Sequence, residues 1–317
     1  MINFLLKRVA TGIVLIYVVL TLIFLMLHAV PGDPAMQLLA GDGAAQVTPA
    51  ALEAARERLG LNAPLPVQYW NYLAGAVQLD LGTSFQDGAP VLDLVSERLP
   101  NTLELVLLAV LIALAVGIPL GSVAARRGGF VDSAISVGTS IGMSVPVYVV
   151  GALFVLLFAL KLGWFPAGGY EEAGGNFVGH VSRVVLPAAA LSFGIASIIA
   201  RMTRSAILDN YRQDWVRTAR SWGIGRRLVF RKHVLRNSLT PVATVTALQI
   251  GTLLGSTVLV ERIFNWPGIS ALLVDSVIER DYPVVQGIVI ILSAIFIFIN
   301  ILVDVLYGYL DPRARVS

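Results

Sequence analysis

Six stretches of this chain carry no Asp, Glu, Lys or Arg over lengths that can cross a lipid bilayer, and that feature limits the fold more than any other. The runs are Val9–Pro31, Leu105–Ala125, Ser133–Leu160, Val184–Ala200, Asn237–Val260 and Tyr282–Val303. A membrane-crossing helix needs about 20 mostly apolar residues, because the hydrocarbon layer is about 30 Å thick and a helix rises about 1.5 Å per residue. Five runs reach that length. Val184–Ala200 is short, but Arg201 can snorkel and Met202 to Leu208 can extend the helix. A charge at midspan costs roughly 2.5–3.5 kcal/mol, so clean runs are informative. Val9–Pro31 is longer than the apolar core of a secretory signal and is not closed by a small-x-small cleavage site, so it reads as an uncleaved first span. The expected fold is an all-α membrane protein with six transmembrane helices. A composition of 56% apolar and only 14% charged residues excludes a soluble domain of this length.

The basic residues set the orientation. With the N-terminus in the cytoplasm and six spans threaded, 16 of the 23 Lys and Arg residues fall inside: Lys7, Arg8, Arg126, Arg127, the cluster from Arg201 to Arg236, Arg313 and Arg315. The other 7 fall outside. Basic residues flanking spans are retained inside, so both termini are expected in the cytoplasm. The excess positive charge is then an orientation signal, not a nucleic-acid patch. The chain has no cysteine, and its histidines (His28, His180, His233) are scattered, so no disulfide framework or metal site is expected.

Two connecting segments are too long to be simple turns, and they divide the chain. Residues 1–31 form the N-terminal tail and first span, 32–100 an extracytoplasmic segment, and 101–317 a core that holds the cytoplasmic loop 209–237. In the outer segment, Thr48-Pro49 reads as a helix start and Gly60 as a stop, which predicts a short helix over Pro49–Leu59. Tyr69, Trp70, Tyr72, Leu73, Val77 and Leu79 then suit the membrane interface. The segment serves either as a lid on the outer span ends or as a docking surface, and the two are compatible. In the inner loop, a helical wheel puts Trp215, Val216, Ala219 and Trp222 in one sector, with Arg217 and Arg220 opposite. Gly223 follows as a left-handed cap. A second helix, roughly Arg226 to Arg236, leads to Pro241 and the fifth span.

The order of residues in that loop is distinctive. Asp214-Trp215-Val216-Arg217-Thr218-Ala219-Arg220-Ser221-Trp222-Gly223, followed by His233-Val234-Leu235-Arg236-Asn237, resembles the coupling loop of ABC-importer permeases in its peptide-permease (dipeptide-permease B-like) version. It departs from the general importer pattern: Arg217 and Thr218 replace a Glu and an Ala, and Arg236 stands where a Pro would be. The resemblance extends over nearly the whole chain. It includes Pro31-Gly32-Asp33-Pro34, Leu79-Asp80-Leu81-Gly82 with Ser84, Pro100 to Leu105, and Arg201 to Ser205. It continues through Glu261 to Gly268, Arg280 to Gly287, Asp304 to Tyr307 and Asp311-Pro312-Arg313.

The resemblance implies a type I importer permease fold in a bacterial inner membrane. It also implies a dipeptide or short-peptide solute, with glutathione, nickel chelates, opines or oligosaccharides as alternatives. The implied partners are a homologous second permease subunit (or a second copy of this chain), two cytoplasmic ATPase subunits, an extracytoplasmic solute-binding protein and the surrounding lipid, with no nucleic acid. The ATPase-coupling residues it implies are Asp214, Trp215, Arg217, Thr218, Ala219, Arg220, Trp222, Gly223, His233 and Arg236. Thr218 and Ala219 would permit close helix approach, and Trp215 and Trp222 would anchor the interface. Arg217 and Arg220 would pair with acids on the partner, or else form a solvated face. Gly223 would aim both helices, with or without touching the partner. This chain has no G-x-x-x-x-G-K-(S/T) phosphate loop, so ATP and Mg belong to the partners and the chain itself is no enzyme.

The solute path is less legible. Glu104 and Asp304 lie at span ends and read as structural. Ser144-Val145-Pro146, Pro119, Gly138, Gly142, Gly251 and Gly255 are candidates for kinks or close packing. His28 and His233 read as packing or hydrogen-bonding residues, and Trp164 and Phe165 as interfacial anchors. A gradient-driven secondary transporter would instead show buried coupling carboxylates or an inverted repeat, and neither is evident.

Overall fold

The structure is a computed structural model that describes residues 2–29, 33, 35, 36, 39, 48–59 and 61–310. Pro31, Gly32, Pro34, Gly60 and Asp311-Pro312-Arg313 lie outside the described residues. Among the described residues the regular secondary structure is all helical apart from one isolated bridge between Thr83 and Pro90. It divides into two compact units, Met1–Asn101 with Gly268–Ile301 and Thr102–Pro267 with Leu302–Ser317.

In the first unit, α1 (Ile2–Ala29) contains the apolar span Leu6–Met26. Gly12 lets it approach α11 (Tyr282–Leu310) closely, because a Cβ there would lie 2.9 Å from Ile297 Cγ2. The short outer helix forms as expected: α2 (Pro49–Arg58) starts with the Thr48 side chain accepting from Ala51 N–H and Pro49 in the first turn. The aromatic stretch becomes α3 (Leu65–Gln78). Tyr69 and Tyr72 pack on Phe24 of α1 with centroids 5.1 and 5.7 Å away, Tyr69 Oη bonds Thr21 at 2.6 Å, and His28 meets Gln68 at 3.3 Å. The outer segment is therefore tied to the end of the first span. Beyond it, buried Asp281 accepts from Ser84 Oγ (2.5 Å) and Phe85 N–H (3.1 Å), fixing the 82–90 turn beside the link between α10 (Ile269–Glu279) and α11. Val91, Val95, Ile269, Val284 and Ile288 form the apolar core beneath.

The second unit is organised around α7 (Phe177–Tyr211), the most buried of the candidate spans. The short fourth run does extend past Leu208, to Tyr211. α4 (Val91–Arg127) begins fourteen residues before the charge-free run Leu105–Ala125, because Pro90 starts the helix while still outside the apolar layer. It crosses α7 at Gly117 and Gly121: a Cβ on Gly117 would lie 2.7 Å from Ala196 O, and one on Gly121 2.7 Å from Thr203 Cβ. This small-x-x-x-small spacing permits backbone contact between helices.

The third run is not one straight span. It forms α5 (Gly129–Ser144) and α6 (Val147–Lys161), bent by 104° across Val145-Pro146. Proline has no N–H and drives its predecessor toward extended backbone, and Val145 sits at φ −82°, ψ 123°. Gly142 packs against Ser197 and Phe193 as expected, whereas a Cβ on Gly138 or Gly255 would meet nothing within 4 Å. Those two glycines are not close-packing positions. The fifth span belongs to α9, which runs unbroken from Arg226 to Ile263 and includes a π-helical stretch, Val229–Val234. Among the described residues, five helices can thus cross a membrane, or six when α5 and α6 count as one broken span.

Polar contacts brace both ends of this unit. On the inner side, Arg204 forms a two-pronged ion pair with Asp132, joining α7 to the start of α5. On the outer side, His180 Nε2 meets Glu104 at 2.6 Å and its Nδ1 meets Glu171 O at 2.6 Å, while Arg183 pairs with Glu171. Tyr170 meets the imidazole edge-on and Trp266 packs against it at a tilt. Glu104 therefore holds structure, as its sequence position suggests. Glu261, fully buried on α9, accepts from Thr102 Oγ1 at 2.7 Å.

Candidate functional site

The inner loop contains the chain's most distinctive surface. α7 ends at Tyr211, a tight turn through Arg212 and Gln213 follows, and α8 (Asp214–Ser221) begins with Asp214 in its first turn and Arg220 in its last. Those charges complement the helix dipole.

One side of α8 faces its own chain. Val216 is 1% exposed within a cluster formed by Ile207, Val229, Phe230 and Val234, and Trp215, Ala219, Tyr211, Ile224 and Leu235 pack around it. The cluster therefore joins α8 to the inner end of α7 and the start of α9. Trp215 lies against the His233 ring (6.3 Å), Tyr211 stacks on Phe230, and Arg126 covers Phe230 at 4.7 Å. Burying the Val216 side chain stabilises this docking by roughly 1.5–3 kcal/mol.

Gly223 occupies the left-handed cap that its position predicts, at φ +78°. Its N–H bonds Arg220 O at 3.0 Å and Ile224 N–H bonds Ala219 O at 3.2 Å, the paired hydrogen bonds of a left-handed helix end. Ile224 and Ala219 both join the apolar cluster, so the turn and the core fix each other.

The other side of the loop faces outward. Asp214, Arg217, Thr218, Arg220, Ser221, Trp222 and Gly223 are exposed, as are Arg226, Arg227, Arg231, Lys232 and Arg236. Arg217 and Asp214 approach to 3.6 Å with both side chains solvated, so their pairing adds little stability. Arg220 rests over the Tyr211 ring at 5.8 Å. Trp222 departs from the wheel: it is 79% exposed rather than on the apolar side. The helix ends at Ser221, so helical periodicity no longer governs where Trp222 points. The expected second helix, Arg226 to Arg236, is likewise not separate, because α9 carries it directly into the span. Chemically, the outward face offers a large aromatic side chain among cations, a combination suited to an acidic partner with an apolar recess. Among the described residues no His, Cys, Asp and Glu group could hold a metal ion.

Comparison with known proteins shows the family. The family model described as binding-protein-dependent transport system inner membrane component matches residues 117–316, and its N-terminal companion matches 1–106. The chain belongs to that family. It is an inner-membrane permease subunit of an ABC importer. A Brucella abortus (strain 2308) protein named for a peptide transport system permease is 42% identical over 311 residues, 98% of each chain. The glutathione transport system permease protein GsiC of Escherichia coli (strain K12) is 38% identical over 316 residues, 99% of each. The permease also shares its fold with a chain of the inward-facing MetNI methionine ABC transporter, at TM-score 0.56 and 18% identity, over 69% of this chain and 97% of that one.

The sequence reading missed three features of this permease: the Gly117/Gly121 crossing, the Asp132–Arg204 brace and the Asp281 turn lock. The first carries a readable signal, its four-residue glycine spacing. The other two join residues 72 and 197 positions apart, and nothing local marks them.

Proposed function

We propose that this permease forms, with a homologous second subunit, the membrane pore of an importer for dipeptides or short peptides, and that α8 carries ATPase closure to the spans. Two ATPase subunits, which hold the ATP and Mg, dock from the cytoplasm, and a solute-binding protein delivers from outside. The observation that carries the reading is the two-sided loop. Its inner side is locked to α7 and α9 through Val216, and its outer side presents Arg217, Arg220 and Trp222. A push on the outer side then reaches two long helices as one movement. Coupling further requires that the ATPase pair hold the loop differently with and without ATP, since equal affinity shifts no equilibrium.

Peptide as solute draws on the 42% identical Brucella abortus relative. Glutathione, a modified tripeptide, is the second reading and draws on the likeness to GsiC.

Purification from native membranes in mild detergent, beside a Gly223→Asp variant, tests the coupling reading. ATPase subunits and a second permease should accompany the wild type, and the variant should lose the ATPases or their transport coupling. A wild-type chain recovered without any ATPase, under conditions that keep other membrane complexes intact, would overturn it.

A further inference from the structure

A carboxamide inside the hydrocarbon layer must be satisfied by protein or water, so one without a partner points to a polar cavity. Of the Asn and Gln side chains in the six charge-free runs, Gln249 stands furthest from either end, at the middle of Asn237–Val260. It is half-buried on α9, and among the described residues its side chain has no hydrogen-bond partner. Thr252 and Ser256 follow three and seven residues later, on the same helix face. Their hydroxyls donate back to Leu248 O (3.4 Å) and Leu253 O (3.0 Å), leaving oxygen lone pairs to accept.

All three line a cavity of about 180 Å³. Val145 and Val147 form part of its wall, so the cavity sits at the 104° break between α5 and α6. The break adds polarity of its own. Pro146 offers no N–H and α6 starts without a side-chain cap; Val149 and Val150 bond Pro146 O, which leaves the Val147 and Tyr148 N–H groups without intrahelical acceptors. Gly194 of α7 lines a further side.

We propose that this cavity is a station on the solute path, where Gln249, with Thr252 and Ser256, hydrogen-bonds the backbone amide groups of a passing peptide. The proposal rests on the peptide-importer reading above. A carboxamide donates and accepts at once, so it pairs with the N–H and C=O that every peptide carries. The apolar wall adds no demand on side-chain charge. Such a station reads the class of solute and not its sequence, and neutral contacts let the peptide leave as well as enter.

The test uses the complete importer with its binding protein, reconstituted in vesicles and assayed with radiolabelled dialanine. Gln249→Leu should lower uptake kcat/KM about tenfold, the cost of one lost hydrogen bond, while binding-protein-stimulated ATPase activity persists. Benzoylphenylalanine placed at Thr252 should form a photo-adduct with the labelled peptide during turnover. If Gln249→Leu fails to assemble, the adduct decides. Unchanged uptake in an assembled Gln249→Leu complex, or no adduct while the labelled complex transports, overturns the station. A wild-type complex that imports no dialanine despite an active ATPase overturns the peptide reading beneath it instead.

Discussion

Gly223 and Gly225 form a matched pair two residues apart, and replacing each by alanine isolates what the left-handed turn does. Both are exposed, and a Cβ on either would meet nothing within 4 Å. They differ in backbone: Gly223 stands at φ +78°, Gly225 at φ −61° and ψ 139°. A side chain at Gly223 therefore costs only the left-handed strain, about 1–2 kcal/mol. At Gly225 the conformation suits any residue, so alanine adds no such strain there; what it gains by restricting the unfolded chain is offset by its poor fit at the N-cap of α9. Strain at Gly223 acts on the bonds to Arg220 O and Ala219 O that close α8, so the loop opens more often. A loss of about 1–2 kcal/mol raises the open fraction about 5–30-fold. In Gly223→Ala, hydrogen exchange at the substituted position's own amide and at the Ile224 amide, measured in lipid nanodiscs, should accelerate by that factor. It should stay level or slow in Gly225→Ala. Gly223→Asn should fall between wild type and Gly223→Ala, since asparagine tolerates this backbone region better. Equal exchange in the two alanine variants would refute the claim that backbone conformation holds this turn.

The remaining predictions concern the braces. Gly121→Ala should destabilise the permease by about 1–3 kcal/mol, because the added methyl overpacks the α4–α7 crossing, whereas Gly138→Ala should be neutral; thermal unfolding in detergent separates them, and equal midpoints would refute the crossing. His180→Phe keeps the ring between Tyr170 and Trp266 but removes the bonds to Glu104 and Glu171 O, and should cost about 1–3 kcal/mol. Limited proteolysis of the 162–176 loop reports that loss, and unaltered cleavage would show the imidazole to be dispensable there.

The sequence announced most of the local structure. Thr48-Pro49 specifies the start of α2, and Gly223 specifies a left-handed end to α8, because each depends on backbone chemistry within a few residues. Trp222 shows where that logic stops. A helical wheel assumes that the helix continues, and α8 ends one residue earlier because its cap closes on Arg220 and Ala219. Gly138 and Gly255 show the complementary failure: a glycine permits close approach, but a neighbouring helix must use it, and among the described residues a Cβ on either would meet nothing within 4 Å.

Composition and order alone determined that this chain lives in a membrane and where along it the apolar runs fall. Those properties follow from sums over residues or from contiguous motifs, and a bilayer imposes them whatever the packing. Tertiary structure alone decided that the third apolar run turns by 104°, and that Asp132 finds Arg204 and Asp281 finds Ser84. It also decided that Val216 faces inward while Trp222 faces out, and that Gln249 opens onto a cavity at the break. Each of these is a pairing between surfaces far apart in sequence, and in a chain so uniformly apolar hydrophobic pattern does not choose between partners. Shape, backbone proximity and the need to satisfy every buried polar group make that choice.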